Sequence, residues 1–282
     1  MTNILEAIVN ITNNPVVEIR NHYTGRNRAN NVGEALEMFV KDAFANTIQE
    51  KDEQVKNTRF NQVFSWLGNQ NHPPDIMIRL GDAIEVKKTQ SANSDLALNS
   101  SYPKSNIQSN SNIITQECRT CENWTKKDLI YCVGHTIDDS IKSLWMVYGN
   151  IYAAKHETYQ IIKQKITDGL NEIPNVELAE TNELGRVNRV DPLGITNLRI
   201  RGMWQIQNPR RVFNYLHTTG DSFELVAVIP KNKYNSFPTE SKNRIENLDN
   251  PNLSISDVQV KDPNNPANLI DSKLIVFKNK IK

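Results

Sequence analysis

Cysteine is scarce, with three in 282 residues, and an odd count in a chain this long argues against a disulfide-stapled scaffold. Long hydrophobic runs are missing too, so no segment has the length of apolar sequence needed to span a bilayer. The opening Met1-Thr2-Asn3-Ile4-Leu5-Glu6 lacks the basic and apolar regions of a signal peptide, and the expectation is a cytoplasmic protein with no membrane partner. Nor is there an excess of one charge. The 33 Lys and Arg against 32 Asp and Glu leave a net +1, so a nucleic-acid partner has to be argued from local clusters of Arg. What remains is 38% hydrophobic and 23% charged, the composition of an ordinary globular chain long enough to bury a sizeable core. No internal repeat stands out.

The most informative stretch is residues 74–87, Pro-Asp-Ile-Met-Ile-Arg-Leu-Gly-Asp-Ala-Ile-Glu-Val-Lys. Two short apolar runs meet at a Gly-Asp turn, the pattern of a β-hairpin. A three-residue loop at Leu80, Gly81 and Asp82 would set Arg79 against Ala83, Met77 against Glu85 and Asp75 against Lys87. Strand alternation then places Ile76, Ile78, Ile84 and Val86 on one face and gathers Asp75, Glu85 and Lys87 at one edge of the other. A two-residue loop breaks this sorting. Two carboxylates at adjacent strand ends supply the hard oxygen ligands that Mg²⁺ favours, and Lys87 could stabilise an attacking hydroxide and the charge developing on a phosphodiester. A solvated surface hairpin carrying the same residues is the plainer alternative. The Pro-Asp opening, the separation of the acids by one hairpin and the clean apolar face favour the site.

At these residues the chain resembles the PD-(D/E)XK nucleases, the group that holds most type II restriction endonucleases and the mismatch-repair nicking enzyme MutH. The resemblance implies that Asp75, Glu85 and the backbone carbonyl of Val86 hold the metal and that Lys87 serves the reaction. Several members carry a helix with a Gly-x-small-or-apolar-apolar-Glu opening just before the hairpin, whose Glu joins the metal site. Here Gly33-Glu34-Ala35-Leu36-Glu37 matches, with Glu37 as that residue and Glu34 at the variable position, though either remains compatible with an ordinary surface Glu.

Around the hairpin the chain reads as follows. Thr2 to about Val17 is a short helix with Ile4, Leu5, Ile8, Val9 and Ile11 at helical spacing. The polar run 18–31 holds Arg20, Arg26 and Arg28, which could grip phosphates or enter a groove; a solvated loop is the alternative. Val32 to about Ile48 is an amphipathic helix with Val32, Leu36, Phe39, Val40, Ala43 and Phe44 on its buried side. Residues 51–56 form a charged connection, and Phe60 to Leu67 an apolar lead-in. Residues 96–111 look like a long loop placed to wrap DNA, or a disordered insert. Further strands at 128–134 and 143–149 and a helix through Tyr159 and Leu170 give an α/β fold, a mixed central β-sheet flanked by helices.

Glu85-Val86-Lys87-Lys88, the run 98–105 (Leu-Asn-Ser-Ser-Tyr-Pro-Lys-Ser), residues 124–131 and 147–154, and the Gly25-to-Glu37 stretch look like the NgoPII-type restriction endonucleases over roughly the first half of the chain. The family resemblance implies a restriction-endonuclease-like core, a palindromic GGCC-like site, a homodimer, Mg²⁺ and a separately encoded methyltransferase with no stable complex. Asn99, Ser100, Ser101 and Lys104 become candidate DNA contacts. One endonuclease domain over 1–282 is expected, with a catalytic core at about 30–170 and a recognition region at about 171–282.

In that region, Leu198 to Arg211 alternates like a strand. Arg199 and Arg201 share a face, Gln205 and Gln207 continue the parity, and Arg210 and Arg211 follow. Arg suits guanine O6/N7 and Gln suits adenine in the major groove; a charged sheet edge is the alternative. Phe223 to Pro230 reads as an apolar strand, and residues 274–277 add one last strand. Cys118, Cys121, Cys132 and His135 have the ligand types and paired spacing of a zinc site, although Cys132 also reads as a small apolar residue on a buried strand. Two functions compete with a restriction endonuclease: a repair or structure-specific nuclease with the same core, and a non-catalytic DNA-binding module.

Overall fold

A computed structural model of the protein describes residues 2–23, 32–69, 72–98, 100–173, 177–178, 184–220 and 222–279. The N-terminal apolar spacing forms α1 (Ile4–Asn13), capped by the Asn3 side chain, which accepts from the backbone N–H groups of Leu5 and Glu6. There follow α2 (Ile19–Tyr23), α3 (Val32–Ala45) and α4 (Glu53–Val63). The strands β1 (Phe64–Trp66), β2 (Ile76–Ile78), β3 (Ala83–Thr89), β4 (Leu96–Ala97) and β5 (Asn106–Gln108) lead to α5 (Gln116–Thr120), and then come β6 (Lys126–Ile137), β7 (Ser140–Tyr148) and α6 (His156–Asn171). The rest is β8 (Glu177–Leu178), β9 (Gly185–Asn188), β10 (Leu198–Ile200), β11 (Gln205–Ile206), α7 (Pro209–Val212), β12 (Glu224–Pro230), α8 (Lys231–Ser236), α9 (Thr239–Glu246), β13 (Leu253–Asp262) and β14 (Asn265–Lys278).

The central sheet runs β1-β2-β3-β6-β7-β12-β14-β13, with β5 added to β6. It is mixed: β3 lies parallel to β6 and β7 parallel to β12, while the other neighbours are antiparallel. Its middle is buried on both faces, as the unbroken apolar run of β12 requires. Helix α3 lies close against this sheet because Gly134 of β6 leaves room for Leu36; a Cβ there would come within 2.6 Å of Leu36 Cδ2. That close approach is what brings Glu37, one residue further along α3, toward the hairpin.

The hairpin forms with a different register from the expected one. Ile76 pairs with Ile84 and Met77 with Ala83, leaving Arg79, Leu80 and Gly81 as the loop, with Leu80 at φ 56° and Gly81 N–H donating to Ile78 O. Asp82 leaves the loop because its carboxylate is a buried anchor, accepting from Tyr148 Oη at 2.7 Å and Lys233 Nζ at 2.5 Å. The slip is two residues, so the sorting of faces survives. Asp75 comes level with Glu85, not Lys87.

Four other expectations change. The charged connection at 51–56 opens a helix, α4, with Asp52 as its cap; only Lys56 and Phe60 are buried there, too little of a stripe to read. The run 96–111 is not a free loop, since Leu96, Leu98 and Ile107 are buried and β4 and β5 pair with β11 and β6. Residues 198–207 do not form one strand: β10 pairs with β9 and β11 with β4, so Arg199 and Gln205 belong to different sheets. Lastly, the C-terminal strand is half of the long β13–β14 hairpin, with β14 inside the sheet beside β12; the outer part of that hairpin is polar and exposed, hiding the strand signal.

Lys127 holds the hairpin turn, donating to Ile78 O at 3.0 Å and Gly81 O at 2.7 Å and pairing with Glu122, both side chains nearly buried. Glu122 in turn accepts from Leu80 N–H at 2.8 Å. Lys127→Met strands a buried carboxylate and two turn carbonyls, so we expect a loss of about 3–5 kcal/mol in urea unfolding, whereas Lys261→Met on the exposed face of β13 should leave the midpoint unchanged.

Candidate active site

Backbone geometry sets the first contact of the site. Asp75 lies just before β2 and its Oδ2 accepts from the Val86 N–H at 2.6 Å. Glu85 Oε1 pairs with Lys87 Nζ at 2.6 Å. Glu85 Oε2 is buried and has no hydrogen-bond partner, an arrangement that costs free energy unless something else satisfies it. Glu37 sits half-buried on α3 with Oε1 2.6 Å from Lys41 Nζ, while Glu34 is exposed.

The charges respond to one another. Burial, together with the Glu85 carboxylate and, more distantly, Glu37, raises the Asp75 carboxyl to about 7 against the opposing pull of Lys87 and the Val86 N–H. Burial alone would lower Lys87, but Glu85, Asp75 and Glu37 outweigh it and hold the ammonium above its ordinary value. Around Asp75 the charges are thus two acids, Glu85 and Glu37, against the one ammonium of Lys87. Among the described residues no three His, Cys, Asp or Glu side chains form a closed metal-holding cluster, so Glu37 stands in electrostatic reach of the other acids without completing a ready-made cage. The donor set nonetheless fits a hard divalent cation: two adjacent carboxylates, one with an orphaned buried oxygen, and a backbone carbonyl at Val86.

Lys104 is the residue whose position the sequence does not disclose. It lines a narrow cleft with Glu85, Pro73, Leu98, Tyr102 and Tyr131. Its backbone N–H donates to Tyr131 Oη at 2.8 Å, and that hydroxyl donates back to Lys104 O at 3.2 Å. Nζ donates to Tyr102 O at 3.0 Å and to Ser101 Oγ. Burial pushes this ammonium down to about 8, with Lys87 adding to the effect and Glu85 opposing it. Nothing in sequence spacing links Lys104 to Glu85; the link is the packing of the 98–105 run beside β6. Lys41, paired with Glu37, was also missed, and there a signal exists in the i,i+4 spacing.

The other DNA candidates divide. Ser100 is exposed, and Ser101 lines the Glu85 cleft. Arg199 and Arg201 are exposed on and just after β10, and Gln205 lies opposite Ala97. Arg20 ties α2 to the β6–β7 turn through Asp139 at 2.8 Å, Arg210 donates to Thr219 O at 3.2 Å, and Arg211 pairs with Asp95 at 3.0 Å. Arg26, Arg28 and Asn99 lie outside the described residues. Among the described residues no three His, Cys, Asp or Glu side chains stand together as a zinc site would require: Cys118 is buried with Sγ 3.3 Å from Met77 Sδ, and Cys132 is a fully buried position of β6.

Because Asp75 has its carboxyl raised in the fold, it contributes stability below its unfolded value near 4, and this contribution is lost as pH rises through about 7. In EDTA, Asp75→Asn should therefore gain stability relative to wild type between pH 5 and pH 8 by about 1 kcal/mol or more. Parallel urea titrations at the two pH values check this; an unchanged difference would mean that Asp75 is ionised throughout.

The NgoPII restriction endonuclease family model matches residues 2–261. The type II restriction enzyme NgoPII of Neisseria gonorrhoeae is 47% identical over 279 residues, covering 98% of this chain and 99% of the relative. No solved structure matches. The likeness extends through the second half of the chain, beyond the motifs that first suggested it, and the chain belongs to the NgoPII restriction endonuclease family.

Proposed function

We propose that the protein cuts both strands of DNA at a short palindromic, GGCC-like site by Mg²⁺-dependent hydrolysis, acting as a homodimer in the cytoplasm. The class itself, a type II site-specific deoxyribonuclease with DNA as partner, rests on the family. The observation that carries the catalytic reading is the buried, unpartnered Glu85 Oε2 beside an Asp75 carboxyl whose ionisation is suppressed by burial and neighbouring acids. Asp75, Glu85 and the Val86 carbonyl, with Glu37 assisting, would hold the cation. A divalent ion there supplies Lewis acidity that activates water and offsets phosphate charge. Lys87, fixed against Glu85, places its ammonium where negative charge builds on the phosphodiester as water attacks in line. The Asp75–Val86 hydrogen bond orients the first carboxylate, which would then hold the ion through its other oxygen.

Cutting both strands of a palindrome calls for one such site on each strand, and a two-fold pair of chains supplies it. The GGCC-like sequence is the expectation carried by the family resemblance, and Arg199 and Arg201 are the side chains suited to its guanines. A separately encoded methyltransferase of matching specificity would protect the cell's own DNA without a stable complex.

Incubated with unmethylated phage DNA, the protein should yield discrete fragments with Mg²⁺ and none with EDTA, and Asp75→Ala and Lys87→Ala should each lower the cleavage rate by roughly 100- to 1000-fold. Undiminished cleavage by both variants would reject this site. End-sequencing should return GGCC-like termini, and sedimentation should give about twice the 32.2 kDa of one chain; a monomer on bound DNA would reject the two-fold arrangement.

A further inference from the structure

Beside the catalytic cleft lies a larger cavity of about 600 Å³. The two are neighbours, because Ser101, Tyr102, Lys104 and Ile107 line both. One wall is the 100–113 run that follows β4, and the other includes Gly202 and Trp204 just before β11. The β4–β11 pairing and the hydrogen bond from Leu98 N–H to Trp204 O at 2.9 Å clamp these walls together. Tyr102 stacks on Tyr159 with ring centroids 5.3 Å apart, and Trp204 meets Tyr159 edge-on at 5.7 Å, so this side is a packed surface.

The cavity's charge is one-sided in a chain that is nearly neutral overall. Lys104, Lys126, Lys155 and Lys163 line it against the single acid Glu157. Among the described residues no acid side chain pairs with Lys104, Lys126 or Lys155. With one acid among its lining residues against these lysines, the cavity wall carries a net positive charge. A small anion would satisfy one lysine; a chain of phosphates satisfies several at successive spacings.

We propose that this cavity receives the sugar-phosphate backbone of the DNA strand adjoining the scissile phosphate, with Lys104 at the junction and Lys126 and Lys155 taking phosphates further along. The assignment rests on the nuclease reading above and adds the path of the strand. It also gives Lys104 a task distinct from that of Lys87: contact with the phosphate next to the reacting one.

The test is duplex binding measured in EDTA over a range of salt concentrations, comparing wild type with Lys126→Gln/Lys155→Gln and with the charge-matched control Lys51→Gln/Lys261→Gln. Each lost phosphate contact lowers the slope of log affinity against log salt by about 0.9, so the cavity variant should lose about 2 from the slope, bind roughly tenfold or more weakly at low salt, and melt at the wild-type temperature. The control should keep the wild-type slope. A wild type that cuts DNA while the cavity variant retains its full salt slope overturns this inference alone. A wild type that neither cuts nor binds DNA overturns the nuclease reading with it.

Discussion

Repulsion between carboxylates held side by side is the constraint on which this molecule turns. Asp75 and Glu85 are brought level by a hairpin register, and the first is fastened to the backbone of the second's strand through Val86. Left alone in a half-buried cleft, such a pair would splay apart or take up protons. Here the turn is pinned by Lys127 and Glu122, Asp82 is anchored by Tyr148 and Lys233, and Lys87 takes one oxygen of Glu85. The other oxygen of Glu85 stays buried without a hydrogen-bond partner, a place that a cation would satisfy. Buried ion pairs of this sort are weak contributors to net stability, and their effect here is positional.

The same economy of position governs the surroundings. Gly134 lets α3 approach the sheet and delivers Glu37 to the edge of the site. Tyr131, on the strand beside Glu85, holds the backbone of Lys104 from both sides and so locks a loop residue to the sheet. Short strands far apart in sequence, β4 and β11, then hold together the walls of a cavity that shares Lys104 with the cleft of Glu85. A rigid floor with loop-derived walls is the common way to combine fixed chemistry with a surface shaped to a partner.

Much of the core was legible. The helical spacing in α1 and α3 and the unbroken apolar run of β12 are strong periodic signals, and the buried residues fall where those patterns put them. The hairpin was legible as a hairpin, with its faces correctly sorted, but not in its register, because a shift of two residues preserves alternation and only the burial of Asp82 distinguishes the two. Helix α4 leaves little trace in the sequence because it buries so little, and β13 and the outer part of β14 because they project polar side chains. The run 96–111 read as loop since its three anchors, Leu96, Leu98 and Ile107, are spaced too irregularly to declare a strand.

By itself the sequence determined the chemistry available: Asp75, Glu85 and Lys87 within one hairpin, an apolar face behind them, and a helix bearing Glu37 ahead. These are local properties, written in alternation and spacing over a dozen residues. Tertiary structure decided which charges meet. Lys104 shares a cleft with Glu85, Leu98 meets Trp204, and Arg199 and Gln205 part company, all through the packing of segments far apart in the chain. Pairing of that kind depends on the summed packing of the whole core, and no local pattern encodes it.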